Sequence, residues 1–308
     1  MPRSEEPSRE WPDLPLLINP VAGRGTGRHH ADSMRRYLEH SGRRVWSRFS
    51  TGPGHITTLV REAAATASPE VVVAGGDGTV REAVNAILGE DLPLALGIVP
   101  IGTGNDFVKS LGTPRHWRNA CRALTIGIAE GRRRRIDAGQ CNDTWFANSV
   151  GVGLDAVVTL AAERMRWMPR ALAYPAALTS VVARGVDAAD MRIELDGRTV
   201  SQRTSTVIAC NGAWIGGRFR IAPDARIDDG LLSVLIAAPL SRSRILTLIP
   251  RVIRGTHVSA PEATLLTGRE LLIDGTRSMP LQADGEIMPE APERLVIRCL
   301  PAALSVIA

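Results

Sequence analysis

Three glycine-rich turns in the first half of the chain each follow directly on a short apolar run. The runs cover residues 14–18, 71–74 and 95–99, and segments of helical character lie between them. Apolar strands that alternate with helices predict a parallel β-sheet covered by helices on both faces. Because ligands of such sheets bind at the carboxyl ends of the strands, the three turns are expected to lie there together.

The glycines of these turns point to anion binding. Without a Cβ, backbone N–H groups approach an anion closely, and a following helix adds its N-terminal N–H groups and dipole. The turns cover residues 19–27, 75–79 and 100–107. None contains the P-loop pattern G-x-x-x-x-G-K-[ST], and none fits the dinucleotide fingerprint G-x-G-x-x-G. The sequence therefore predicts a phosphate site of another kind.

Asp77 stands out within the second turn, because a carboxylate there repels phosphate unless it has a function. It either holds Mg²⁺ on nucleotide phosphates or accepts or orients a hydroxyl proton. An Asx-turn or a helix cap is the structural alternative. For Asp106 we expect the helix cap, because Asn105 and Asp106 stand where a helix is predicted to begin.

The pattern changes near residue 136, where short β-rich segments begin to follow one another. Asp-Gly pairs such as Asp196-Gly197 separate them, and Asp-Gly is a strong hairpin signal. Helical segments interrupt this half at 155–185 and 241–254. The predicted fold class is therefore α/β plus β: a flexible tail at 1–13, a three-layer α/β domain with a parallel sheet at 14–136 (the first half), and an antiparallel β-sandwich domain at 137–308 (the β-rich half).

Composition excludes several classes of protein. The 308 residues are 44% hydrophobic and 22% charged, as in an ordinary globular protein. No stretch approaches the ~18 apolar residues of a membrane span, and the first thirteen residues lack a signal-peptide core, so a cytoplasmic protein is expected. The four cysteines and six histidines show no metal-ligand spacing, which disfavours a zinc site and a disulfide scaffold.

Arginine supplies almost all the positive charge. The net charge is +5, and Lys109 is the only lysine. Guanidinium groups suit phosphates and anionic membranes, although a general bias toward arginine explains the count equally well. The run at 132–135 invites a nucleic-acid interpretation, but it precedes an apolar-alternating stretch without aromatic residues. A solvated strand edge is favoured, and no nucleic-acid partner is expected.

The turns also carry a resemblance to a known family. Gly-Gly-Asp-Gly-Thr at 75–79, then Pro-Ile-Gly-Thr-Gly-Asn-Asp-Phe at 100–107, resembles the diacylglycerol kinase catalytic domain of bacterial diacylglycerol kinases, YegS-like lipid kinases and sphingosine kinases. The first motif is shared with NAD kinases, whereas the second is more specific to lipid kinases. Arg24 stands where some bacterial members carry a lysine, so that lysine's role is not carried over. The resemblance implies ATP binding by Asn19, Pro20, Gly23, Thr51, Gly75, Gly76, Asp77, Gly78, Thr79, Gly102, Thr103 and Asn105.

The resemblance continues through the β-rich half. Residues 148–155 look like the segment that opens the family's second domain, and residues 228–231 look like its structural Mg²⁺ turn. By this resemblance Asp229 ligates the metal together with the carbonyls of Arg226 and Leu231. Asp284-Gly285-Glu286 matches the family's D-G-E, whose glutamate is a proposed proton acceptor. Asp77 and Glu286 are thus the implied catalytic residues, while Asp137 at the domain junction is either catalytic support or a plain surface acid.

The implied function is ATP-dependent, Mg²⁺-assisted phosphorylation of a lipid hydroxyl, with diacylglycerol as the favoured acceptor and phosphatidic acid as product. The lipid would be met by peripheral association with the inner face of the membrane, and homodimers occur in such families. Residues 165–182 form either an apolar lid or tunnel, or a core helix pair broken at Pro169 and Pro175. Two other functions remain open: an NAD kinase-like phosphotransferase, and a nucleotide-binding regulator without catalysis.

Overall fold

The computed structural model describes residues 12–308 except 166, 169, 186, 277–278 and 289–291, so the predicted tail lies almost wholly outside the described residues. The helices are α1 (Ala22–Glu39), α2 (His55–Ala64), α3 (Asp77–Gly89), α4 (Asp106–Leu111), α5 (Trp117–Ala129), α6 (Leu154–Arg164), α7 (Arg170–Arg184), α8 (Arg242–Arg254) and a 3₁₀ helix, His257–Ser259. The strands are β1 (Leu14–Ile18), β2 (Val45–Phe49), β3 (Glu70–Gly75), β4 (Ala95–Pro100), β5 (Arg133–Cys141), β6 (Thr144–Phe146), β7 (Ser149–Gly153), β8 (Ala189–Leu195), β9 (Arg198–Thr204), β10 (Thr206–Cys210), β11 (Trp214–Ile215), β12 (Phe219–Arg220), β13 (Leu232–Ala237), β14 (Ala263–Gly268), β15 (Glu270–Asp274), β16 (Leu281–Ala283), β17 (Glu286–Ile287) and β18 (Arg294–Ile307).

The first half has the predicted three layers. Strands β2, β1, β3 and β4 lie side by side in parallel. Successive side chains of a strand point to opposite faces; Leu16 and Ile18 therefore pack with α1 and α5, and Leu17 with α2 and α3. Burial of both faces explains why these strands read as continuous apolar runs.

The β-rich half is the predicted antiparallel sandwich. A six-stranded sheet in the order β14, β13, β10, β7, β16, β17 covers strands that include β8, β15 and the first part of β18. Val152 and Val207 from one sheet meet Ile193 and Ile273 from the other in a common core. None of the helices in the described residues combines the length and apolar character needed to cross a membrane.

The last strand joins the two halves. β18 pairs antiparallel with β15 at its start, whereas Val306 near its end lies beside Leu96 of β4 in parallel. Its pairing with β5 shifts register between Leu300 and Leu304, and Ala302 there has a φ of 51°. Such an irregularity bends a strand. β18 thus begins in the β-rich half and ends in the sheet of the first half, which it completes, although the two halves are expected to divide at residue 136.

One prediction for these segments is wrong and another is confirmed. Pro175 lies inside α7, so the break predicted there is wrong, and Pro169 lies outside the described residues. The arginine run enters β5, and residues 133–136 of this strand pair with β18 on one side, whereas β6 pairs only with residues 139–141. Arg132 and Arg135 are exposed, and the partly exposed Arg134 binds Asp228 at 2.8 Å, so the run lies on a solvated strand edge as predicted.

Candidate active site

The second and third turns touch through their backbones at the carboxyl edge of the parallel sheet. The N–H of Ile101 donates to the carbonyl oxygen of Gly75 over 3.0 Å. A Cβ on Gly102 would lie 2.4 Å from the Cα of Gly76. Glycine at these positions is required because any side chain would push the two turns apart.

The first turn closes against the third. Gly23, Arg24 and Gly25 have φ angles of 59°, 59° and 88°, so the regular part of α1 begins after them. A Cβ on Gly23 would lie 2.2 Å from the carbonyl oxygen of Ile101. The left-handed backbone therefore brings the first turn into contact with its neighbour.

Side chains reinforce this edge. Asn19 donates its Nδ2 to the Thr79 Oγ1 over 3.1 Å, which joins the first turn to the second. Arg24 and Arg28 line an open hollow beside Pro20. Their guanidinium groups supply positive charge at the turn, and arginine is well suited to binding phosphate oxygens.

The remaining residues predicted to bind ATP lie at the same edge. Thr51 is exposed just after β2, with its hydroxyl 3.0 Å from the His55 Nδ1. Thr103 is exposed in the third turn, and Asn105 donates its Nδ2 to the carbonyl oxygen of Gly102 over 2.8 Å. The structure thus gathers at one sheet edge the predicted set Asn19, Pro20, Gly23, Thr51, Gly75, Gly76, Asp77, Gly78, Thr79, Gly102, Thr103 and Asn105.

Asp77 opens α3 rather than lying in the turn before it. Its Oδ1 accepts the N–H of Asp106 over 2.6 Å, which connects the second turn to the start of α4. Burial and the neighbouring Asp106 carboxylate raise the pKa of Asp77 to about 6, against backbone hydrogen bonds that lower it. Asp77 therefore titrates close to neutral pH, within a helix first turn that favours its charged form.

The helix cap predicted for Asp106 is wrong. Asn105 occupies the N-cap position of α4, and the Asp106 carboxylate instead accepts the Lys109 Nζ at 2.7 Å and the N–H of Gly217 at 2.9 Å. Lys109 also donates to the Gly217 carbonyl oxygen over 2.7 Å. Because Gly217 belongs to the β-rich half, this cluster fastens the two halves together beside Asp77. Sequence analysis missed the role of Lys109, although a single lysine three residues after Asp106 was a usable signal.

Glu286 reaches the same region from the β-rich half. Its side chain, 56% exposed, forms an ion pair with Arg81. Arg81 follows Asp77 by one turn of α3, and residues at this spacing share a helix face. Arg81 therefore holds Glu286 at the face of α3 that begins with Asp77, and it is a second residue that the motifs did not reveal.

Asp284 holds the turn that presents Glu286. Its carboxylate accepts the N–H groups of Ala147, Asn148 and Ser149 at 2.7–2.9 Å. Burial raises the pKa of Asp284, and these hydrogen bonds oppose the rise. The D-G-E turn is thus anchored to the segment that opens the β-sandwich.

The predicted metal turn lies at the junction of the last strand. Asp229 is exposed, and its Oδ1 accepts the N–H of Leu231 over 3.0 Å. The next residue, Gly230, donates its N–H to the buried Asp137 carboxylate over 2.7 Å, and the other Asp137 oxygen accepts the N–H of Ala302 at 2.7 Å. Asp137 is therefore a buried connector, and a surface acid is the wrong interpretation of it.

This turn offers oxygen donors, the type that Mg²⁺ prefers. They are the Asp229 carboxylate and nearby backbone carbonyls such as those of Arg226 and Leu231. Among the described residues, no group of three or more His, Cys, Asp or Glu side chains is placed to hold a metal ion. The residues fit a hard cation in kind, with one carboxylate and main-chain oxygens.

A cavity of about 140 Å³ lies between the six-stranded sheet and helices α6, α7 and α8. Tyr174 and Leu178 of α7 line it, while Ala177 and Val181 pack against α6. Helix α7 therefore packs against α6 and also lines the cavity, while a lid or tunnel for lipid remains a prediction.

The cavity borders the cluster that joins the halves. A Cβ on Gly216 would lie 3.0 Å from the Tyr174 ring, and Gly216 directly precedes Gly217. Tyr174 donates its hydroxyl to the buried Asp155 carboxylate over 3.3 Å, and burial raises the pKa of both groups. An apolar space thus begins close to Asp106, with a polar pair in its wall.

Comparison with protein families covers both halves. The diacylglycerol kinase catalytic domain matches residues 13–141, and the YegS C-terminal NAD kinase beta sandwich-like domain matches residues 148–308. A crystal structure of a diacylglycerol kinase from Bacillus anthracis has a TM-score of 0.76 at 20% identity and covers 97% of this chain and 98% of its own. That likeness shows a common fold.

Relatives match over nearly their whole length. A diacylglycerol kinase of Mycobacterium tuberculosis (strain H37Rv) is 31% identical over 298 residues, which is 94% of this chain and 93% of the relative. A diacylglycerol kinase of Bacillus subtilis (strain 168) is 26% identical over 272 residues, 88% of each chain. With both domains in order and this identity over the full fold, the chain belongs to the diacylglycerol kinase family.

Proposed function

We propose that the protein transfers the γ-phosphoryl group of ATP to the hydroxyl of a lipid, with diacylglycerol as the favoured acceptor and phosphatidic acid as the product. One observation carries this proposal. The edge formed by the three turns, the Glu286 carboxylate and the apolar cavity border the same junction between the two halves. A phosphate site beside an apolar space suits a lipid kinase better than a kinase of soluble substrates.

The three turns would hold the triphosphate. Backbone N–H groups at glycine positions and at the start of α3 suit its anionic oxygens, and Arg24 and Arg28 add positive charge. Catalysis of phosphoryl transfer is mostly positioning and electrostatic stabilisation. Contacts among the turns keep these donors in place before ATP arrives, which is the preorganisation that such catalysis needs.

Magnesium would be held by two groups of residues. Asp77 would bind a cation on the nucleotide, and Asp229 with the carbonyls of Arg226 and Leu231 would form the structural site. When bound, Mg²⁺ neutralises charge on the phosphates. Asp77 must be ionised for its part, and its raised pKa makes that condition depend on pH near neutrality.

Glu286 would accept the proton of the lipid hydroxyl. The hydroxyl oxygen forms a bond to the γ-phosphorus, the bond from that phosphorus to the bridging oxygen breaks, and ADP leaves. The Arg81 partner keeps the Glu286 carboxylate at the cleft. A carboxylate in hydrogen-bond reach of the attacking hydroxyl is the group that this step requires.

The acyl chains would enter the cavity lined by α6, α7 and α8. Its apolar wall suits hydrocarbon, and its volume of about 140 Å³ matches part of a chain rather than a whole lipid. We propose that the protein acts in the cytoplasm and associates peripherally with the inner face of the membrane, as a homodimer or alone.

The decisive experiment measures ADP release from Mg-ATP with mixed micelles that contain a panel of lipid alcohols. Turnover on diacylglycerol that is lost in Asp77→Ala is expected. ADP release with NAD instead of lipid would support the NAD kinase-like alternative. The matched C-terminal domain is described as NAD kinase beta sandwich-like, so this alternative is included in the test. Protection against unfolding by ATP without turnover on any acceptor would identify a nucleotide-binding regulator.

A further inference from the structure

The cavity in the β-rich half has a wall that is apolar except at five side chains: Asp155, Tyr174, Thr206, His257 and Glu262. A polar group in such a wall normally has a hydrogen-bond partner, because an unsatisfied buried donor or acceptor is costly. The partners of these five therefore show which of them is left for a ligand.

Four of the five are satisfied within the protein. Asp155 accepts from the Gln282 Nε2 over 2.6 Å and from the Tyr174 hydroxyl. Thr206 donates its hydroxyl to the Val152 carbonyl oxygen over 2.8 Å. The fourth, Glu262, accepts two hydrogen bonds from the Arg244 guanidinium group, at 2.7 and 2.9 Å.

His257 is the exception. It is 4% exposed, and neither ring nitrogen forms a hydrogen bond of normal geometry in the described part of the chain, although the backbone of Ile221 is close enough to influence the pKa of the ring. The ring comes from the 3₁₀ helix after α8, whereas Asp155 and Tyr174 come from α6 and α7. Burial lowers the pKa of His257, the Arg251 charge adds to this and the Ile221 backbone opposes it, so the ring is neutral and has one donor and one acceptor.

We propose that His257 is a polar subsite of this cavity and donates a hydrogen bond to an ester carbonyl oxygen of the acceptor lipid. The inference rests on the proposed function. Hydrocarbon cannot form a hydrogen bond with an imidazole, and the single hydroxyl of diacylglycerol takes part in phosphoryl transfer. The two ester carbonyls are the remaining acceptors on that lipid, and they enter the cavity with the acyl chains.

Ether lipids test the subsite, because a dialkylglycerol has the same hydroxyl and chains but no carbonyl. The measurement is kcat and KM in detergent mixed micelles for dioleoylglycerol and for its dialkyl ether analogue. The wild-type protein should favour the diester by about tenfold in kcat/KM, mostly through KM, as the loss of one hydrogen bond implies. His257→Leu should abolish the preference, and His257→Gln should restore part of it.

Thr206→Val is the matched control, because it removes a polar wall atom that already has an internal partner. It should leave the ratio between the two lipids unchanged. A wild-type protein that uses both lipids equally, as expected if a water binds His257, overturns the subsite. So does a preference that persists in His257→Leu.

A binding measurement separates this inference from the proposed function. The ¹⁵N signal of the His257 side chain is assigned by its absence in His257→Leu and followed as micelles are added without ATP. A shift with the diester and none with the diether supports the subsite even if no lipid is phosphorylated, a result that would refute only the proposed function. No shift with either lipid overturns the subsite.

Discussion

Asp77 and Asp106 place two carboxylates next to each other at the sheet edge formed by the three turns, and the two carboxylates differ in their partners. Asp106 is paired with Lys109 and the Gly217 backbone, whereas Asp77 accepts backbone N–H groups at the start of α4, that of Asp106 over 2.6 Å. Burial and then the nearby Asp106 carboxylate raise the pKa of Asp77. The charge of Asp77 therefore depends on pH near 6, whereas Asp106 is engaged in the contact between the two halves.

We expect this asymmetry to appear in the pH dependence of stability. The pKa of Asp77 is about 6 in the folded protein, against an ordinary value of 3.8. The protonated form therefore favours folding: its contribution is complete below pH ~4 and is lost as the pH rises through ~6. Between pH 4 and 7 the free energy of unfolding of the wild type should fall relative to Asp77→Asn by at most about 3 kcal/mol. Urea unfolding at four pH values measures it, and a constant difference would contradict the raised pKa.

Glu286 is predicted to act in the chemical step rather than in folding. Glu286→Gln should lower kcat by about 10²–10⁴-fold, the usual worth of a positioned acid or base, with little change in stability because the side chain is largely exposed. Glu90→Gln breaks another exposed glutamate–arginine pair at the far end of α3. This control should retain full turnover in the ADP-release assay, and equal losses in both variants would argue against a role for Glu286.

At the level of elements, the contact between the second and third turns depends on a missing side chain. Gly102→Ala should destabilise the protein by about 1–3 kcal/mol, because the Cβ meets backbone that has to shift. Gly78→Ala is the control: nothing lies within 4 Å of its Cβ, and it sits in α3. There alanine should be neutral or stabilise by up to about 1 kcal/mol.

Thermal and urea unfolding of both glycine variants, with and without Mg-ATP, give the readout. We expect Gly102→Ala to lose ATP protection as well as stability. If it unfolds like the wild type, the close approach of the turns is not needed for the fold.

The same elements show what the sequence was able to predict. The strands and turns of the first half can be predicted from local sequence, because an apolar run followed by glycines and a helix is recognisable within about twenty residues. The Lys109–Gly217 and Arg81–Glu286 contacts are not, because each joins segments over a hundred residues apart. The glycines beside Asp77 predict that it lies in a turn. In the structure the backbone of Gly76 is extended, and α3 begins at Asp77.

At the scale of the molecule, the buried Asp137 joins its own strand, β5, to two other segments. Its carboxylate accepts the N–H groups of Gly230 and of Ala302 in β18. Asp137→Ala should therefore lower the free energy of unfolding by about 2–4 kcal/mol, chiefly by leaving N–H groups without partners. Chemical denaturation monitored by circular dichroism measures this loss.

Asp228→Ala supplies the comparison for that variant. Asp228 forms ion pairs with Arg134 and Arg226 at the surface, and such pairs contribute about 0–1 kcal/mol. A loss at Asp228 as large as at Asp137 would mean that the charge of this turn, rather than the buried hydrogen bonds, holds the junction.

The path of β18 has a consequence for how the protein is made. β18 is translated after every other described element, yet it lies against β4 in the sheet that carries the three turns. Until residues 304–307 leave the ribosome, the nascent first half keeps an unpaired strand edge, which invites association with other chains. The sheet edge formed by the three turns is thus among the first parts of the chain to be synthesised and among the last to be completed.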